Sequence, residues 1–177
     1  MNSDDPKIRA EVAHRKDVSP EILDKLSSDT SILVKENVAR NSKTSQSTLL
    51  AMSKTKSKKL DVALSMNENT PPEALDNIAK RVAKGDALFT GLNVIYPLFS
   101  HKNLSDESLA AVSKAQPWRV FFHGVKSQLN KEDKRLMESA VKHGNVAELK
   151  QIKEAVVSGK RTVPDSVMKL LDDRLNQ

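Results

Sequence analysis

The chain has 177 residues, no cysteine, 38% hydrophobic residues, and 29 basic against 23 acidic side chains for a net charge of +6. That length supports one sizeable core, and the lack of thiols excludes disulfides, thiolate catalysis and cysteine-ligated metals. Met1-Asn2-Ser3-Asp4-Asp5-Pro6 has neither the basic nor the apolar region of a signal peptide, and the longest uncharged stretch, 87–101, is broken by Gly91, Asn93 and Pro97, so a cytoplasmic protein without membrane association is expected.

The first predicted element is a helix pair. Ile8 and Val12 are spaced by four and Leu23 and Leu26 by three, as on helix faces, with the turn Val18-Ser19-Pro20 between them. That turn has helix-start chemistry: Ser19 can accept from an orphan backbone N–H, and Pro20 gives up a donor that had no partner. The pattern recurs, without a gap, as Val34, Val38, Leu49 and Met52 around Thr44-Ser45-Gln46. The same step from each of these positions leads to Leu60, Leu64, Leu75 and Ile78 around Thr70-Pro71-Pro72, where Thr70 and Glu73 have capping-box spacing. Asn41 and Asn67 are expected to close the preceding helices with a left-handed cap.

With short insertions three more copies follow. They are Val94/Leu98/Leu109/Val112 around Leu104-Ser105-Asp106, then Phe121/Val125/Leu136/Ser139, then Ile152/Val156/Val167/Leu170 around Thr162-Val163-Pro164. Of the 24 column positions only Ser139 is not apolar, far beyond chance in a chain that is 38% hydrophobic. A pair this small cannot bury its apolar stripe alone, so the copies must stack. The expected fold is all-α, a right-handed α-solenoid of about six two-helix repeats forming a single domain over 1–177. Regular repeats span 4–81, an irregular junction 82–122 and degenerate repeats 123–177.

The run Val34-Lys35-Glu36-Asn37-Val38-Ala39-Arg40-Asn41-Ser42-Lys43-Thr44-Ser45, with Leu49 and Met52, resembles the pattern V-R-x-x-V-A-x-N-P-x-T-P-x-x-x-L-x-x-L of the bacterial leucine-rich repeat variant family, a HEAT-like group. Leu26-Ser27-Ser28-Asp29 resembles that family's L-A-x-D. The likeness is close over residues 8–78 and looser over 94–175. It implies a superhelix used for binding, in a protein of bacterial or phage type. Some members carry a cysteine-ligated iron–sulfur cluster ahead of the repeats; this chain has no cysteine, so no cofactor is expected.

Two regions depart from the plain repeat. Residues 1–53 carry eight basic and eight acidic side chains, whereas Lys54, Lys56, Lys58 and Lys59 follow in quick succession without an acid among them. Lys80, Arg81 and Lys84 lie one repeat step beyond Lys54, Thr55 and Lys58, so stacking is expected to join both groups into one basic edge. Several of these cations fall at a helix start, where the macrodipole opposes them. They are read either as a solvated, solubilising loop or as a site facing an acidic protein or a phosphate backbone. The second departure is that Phe89, Tyr96, Phe99, Trp118, Phe121 and Phe122 are the only aromatics, all around a junction in which Pro97 would kink or break a helix. An enlarged core explains them; alternatively Trp118 and Arg119, after Pro117, form a surface anchor or a stacking platform.

Catalytic patterns are lacking. His14, His101, His123 and His143 are scattered without the paired spacing of a metal site or triad, and His14 and His101 fall where a polar cap is the ordinary role. Five glycines leave no phosphate loop. Asp86 or Asp106 beside the aromatics is a thin basis for the glycosylase chemistry found in some HEAT-like superhelices. The expectation is a non-enzymatic scaffold without metal or cofactor. Its first-choice partner is a protein, acidic in character, and nucleic acid is the alternative.

Overall fold

The computed structural model describes residues 3–85, 97–124, 131–159 and 162–177, leaving out the side chains of Trp118 and His123. Its Cα packing divides into a unit of residues 1–78 with 87–105 and a unit of 79–86 with 106–177. The first holds α1 (Pro6–His14), α2 (Pro20–Leu26), α3 (Ile32–Arg40), α4 (Gln46–Ser53), α5 (Lys58–Ser65) and the start of α6 (Pro72–Ala83). The second holds the rest of α6, then α7 (Asp106–Ala115), α8 (Pro117–Gly124), α9 (Lys131–His143), α10 (Val146–Val157) and α11 (Asp165–Leu175). No strand occurs among the described residues, and no helix among them is long and apolar enough to cross a membrane.

Local chemistry sets most of these starts. Asp5, Ser45, Ser57 and Asn145 each accept a bond from a backbone N–H in the first turn of the helix that follows. Ser19 occupies the cap position ahead of Pro20 but makes no such bond. The capping box expected at Thr70 and Glu73 does not form. α6 begins at Pro72, and the Thr70 hydroxyl instead turns back to donate to Leu64 O at 2.7 Å, as Thr44 does to Val38 O.

In the first unit, α3 packs between α1 and α5. Ala13, Ala39 and Ser65, equivalent positions in successive copies, are all buried, and small side chains there let neighbouring helices approach closely. Asn41 and Asn67 do more than end a helix, and neither takes the expected left-handed conformation, since no residue other than glycine has positive φ among the described residues. Asn41 is extended, and its amide donates to Ala13 O at 2.8 Å and Arg15 O at 2.9 Å. One copy later, Asn67 donates to Ala39 O at 2.8 Å and Asn41 O at 3.0 Å. Each side-chain oxygen accepts from the backbone N–H two residues on, Lys43 or Asn69. His101 continues the series, with Nε2 at 2.9 Å from Asn67 O and Nδ1 accepting from Asn103 N–H. The carbonyls that one helix end leaves unpaired are thus satisfied by the next copy's side chain. A polar rung ties successive first helices together.

The columns hold best in the middle of this unit. Val34, Val38, Leu49, Met52, Leu60, Leu64, Leu75 and Ile78 are buried, whereas Ile8, in the same column as Val34 and Leu60, is 55% exposed. In the second unit α9 packs against α7, α8 and α11, and α10 against α8 and α11. Leu109, Val112, Phe121, Leu136, Ile152 and Val167 are buried as their columns require. Leu170 is not: it lies at the surface and Leu171 takes the core position, so the expected register fails in the last helix. Ser139, the one polar column residue, bonds to the Ser113 hydroxyl at 3.0 Å. Val94 and Val125 lie outside the described residues. Where α9 meets α8, a Cβ on Gly144 would come within 2.5 Å of Ala140 O and 2.7 Å of Pro117 Cβ, so glycine permits that approach.

Candidate interaction surface

The lysine-rich segment is built by the turn from α4 into α5. Lys54 caps the end of α4, Lys56 lies in the connecting turn, and Lys58 and Lys59 form the first two positions of α5 after the cap residue Ser57. All four lysines are exposed, and none makes an ion pair among the described residues. The equivalent turn one copy earlier is neutralised. There Asp29 holds Arg9 through two bonds, Nε to Oδ2 at 2.6 Å and Nη2 to Oδ1 at 2.9 Å, and also accepts from Ser31 N–H. The Arg9 guanidinium keeps the Asp29 carboxyl below the usual carboxylate range. Thr55 stands one repeat step beyond Asp29, so the later turn has no such acid.

Lys80 and Arg81 lie in the last turn of α6 and Lys84 in the turn just after it, all in the other unit; Lys80 and Lys84 are exposed and Arg81 is half-buried. Arg119 is exposed on the first turn of α8, while the Trp118 side chain lies outside the described residues. The enlarged-core reading of the other aromatics holds for Phe99 and Phe121, both buried; Phe122 sits half-buried and edge-on to Phe121 at 5.3 Å. Phe89, Tyr96 and Asp86 lie outside the described residues.

The remaining titratable groups are dispersed. His14 is exposed, and His143 is pushed down by burial and then by the neighbouring Lys142. Asp106 forms a surface pair with Arg135, 2.7 Å from Nη2. A shallow depression of about 480 Å³ runs from that pair along α9 to Lys142 and His143. Another, of about 520 Å³, lies in the first unit beside Met66, Pro97 and Lys102. Among the described residues no three His, Cys, Asp or Glu side chains converge as a metal site would.

Two features, one buried and one at the surface, escaped the sequence reading. One is the carbonyl-clamping role of Asn41, Asn67 and His101. The other is Ile32 and Leu33, exposed at the start of α3. Both leave a trace when the copies are aligned, the first as recurring asparagines and the second as an apolar pair where the next copy has Lys58 and Lys59. No protein-family model, curated protein or solved structure matches this chain.

Proposed function

We infer that the chain is a non-enzymatic α-solenoid of the leucine-rich repeat variant, HEAT-like type whose work is to hold a macromolecular partner, a protein in the first place. The observation that carries this reading is the rung series, in which Asn41, Asn67 and His101 each clamp the copy before. Such nearest-neighbour locking is what an extended, one-dimensional binding array needs in order to keep its surface in shape. Exposed groups of one sign on a locked scaffold then act as recognition elements.

Nucleic acid is the second reading, favoured by the four lysines of residues 54–59, which make no ion pair among the described residues. A pull-down from the native host, with and without nuclease, separates the two. Protein captured equally in both lysates, with identities that repeat, is the expected result. Capture abolished by nuclease, together with retention of the purified chain on DNA or RNA at about 50 mM salt that Lys56→Glu with Lys58→Glu eliminates, would move the function to nucleic acid.

A further inference from the structure

The first unit leaves an aliphatic pair uncovered in the middle of its helix stack. Ile32 and Leu33 open α3 and are 37% and 44% exposed. α1 and α5 both pack against α3, so the pair is exposed although its helix has a neighbour on either side. At the equivalent positions those neighbours carry Pro6 and Lys7, and Lys58 and Lys59, all exposed.

The three starts form one edge. Asn41 ties the end of α3 to the end of α1, and Asn67 ties the end of α5 to the end of α3. The helices are nine, nine and eight residues long and run the same way, so their beginnings also lie side by side, at the roughly 10 Å spacing of packed helices. Lys56 continues the edge in the turn ahead of α5. Neither Lys7 nor the lysines at 56, 58 and 59 make an ion pair among the described residues. The edge is an aliphatic floor with a cationic rim on its α5 side, whereas on the α1 side Lys7 shares the rim with the exposed acids Asp4 and Asp5.

We propose that this edge docks an acidic amphipathic segment of a partner protein. One or two of the segment's apolar side chains rest on Ile32 and Leu33, while its carboxylates face Lys7, Lys56, Lys58 and Lys59. The proposal rests on the protein-binding reading above. More than half of each aliphatic residue is already covered by its own chain. Two partly covered aliphatic side chains make too small an apolar face to wedge into lipid, which takes the length of an amphipathic helix, but they suffice to seat one or two side chains of a partner. A phosphate backbone would use the lysines and leave the aliphatic floor idle. An apolar centre inside a charged rim is the anatomy of a protein interface, in which rim charges steer encounter and the centre sets residence time.

Panning a displayed library of random peptides on the full chain tests this. The expected yield is peptides that join Asp or Glu to Leu, Ile, Phe or Trp. Their affinity, read by fluorescence anisotropy, should drop about tenfold or more for Ile32→Ser with Leu33→Ser, and again for Lys58→Glu with Lys59→Glu, each variant keeping wild-type helical circular dichroism. If the serine pair fails to fold, Leu33→Lys tests the floor with the residue that both neighbouring helices carry at that position. Enriched peptides that bind all variants like the wild type overturn this surface and leave the protein-binding reading standing. Enriched acidic peptides without an apolar residue overturn the aliphatic floor. No enrichment, with a DNA duplex or anionic phospholipid vesicles bound instead, overturns both.

Discussion

His101 occupies the place that asparagine holds at 41 and 67, and its ring makes the same kinds of bond with different reach. Because Asn103 N–H donates to Nδ1, the ring proton sits on Nε2 and is given to Asn67 O. An asparagine amide reaches two carbonyls of the preceding copy; the histidine reaches one, and Asn103 covers Thr70 O at 2.9 Å. His101→Ala leaves a buried carbonyl and a backbone N–H without partners, so urea unfolding should report a loss of about 1–3 kcal/mol. His101→Asn restores both kinds of bond and should recover most of it; equal losses for the two would mean that the rung contributes nothing. Asp29 yields a second expectation. Its folded pKa is depressed by Arg9, so its contribution is complete above the ordinary carboxylate value of about 4 and is lost as pH falls through the lower folded value. The stability gap between wild type and Asp29→Asn should therefore be constant around neutrality and close as pH drops below about 4. A gap that widens in acid would contradict the pair's role.

At the scale of elements, the helix pairs were legible because their information is local. Spacings of three and four, a turn residue and a following proline are set within one copy. Ser19 and Ser45 duly stand at cap positions, and the columns of copies two and three are buried throughout. Asn41 and Thr70 were misread because each turns back to a carbonyl that cap rules do not specify, Asn41 in the preceding copy and Thr70 in its own. The Asn41 amide bonds to carbonyls 26 and 28 residues back, and the Thr70 hydroxyl to one six residues back. A sequence shows the recurrence of such a residue but not its target. Leu170 was misplaced because copy six was aligned to columns without the strict spacing of the first three; buried Leu171 is a full helical turn from Val167 and shares its face. Leu49, fully buried on α4, tests the register. Leu49→Ala should cost roughly 2–5 kcal/mol through lost transfer energy and a residual cavity. Ile8→Ala, in the same pattern but exposed, should cost well under about 1 kcal/mol. Comparable losses at both sites would dissolve the distinction between buried and exposed column positions.

For the molecule as a whole, the net charge of +6 is unevenly distributed, since residues 1–53 are balanced and a run of lysines without an intervening acid begins at Lys54. The cluster was legible in composition. Its aliphatic companions Ile32 and Leu33 were not, because apolar residues at a helix start read as core until a neighbour fails to cover them. Lys58 and Lys59 occupy the first positions of α5, and the turn ahead of them has Thr55 where the preceding copy has the acid Asp29. Cations there face one another and the positive end of the helix dipole, with Asp61 the one acid in that first turn, an arrangement in which each charge costs stability by up to roughly 0.3–1 kcal/mol at low ionic strength. Lys56→Gln, Lys58→Gln and Lys59→Gln combined should therefore raise the Tm in dilute buffer. The gain should shrink as salt is added, because at about 0.1 M the screening length is only about 10 Å. Lysines that oppose the fold in this way are open to use by solvent, as a solubilising loop, or by the proposed docking edge. If the triple variant melts at a lower temperature than wild type in dilute buffer, the lysines serve the fold and their claim as a recognition rim lapses.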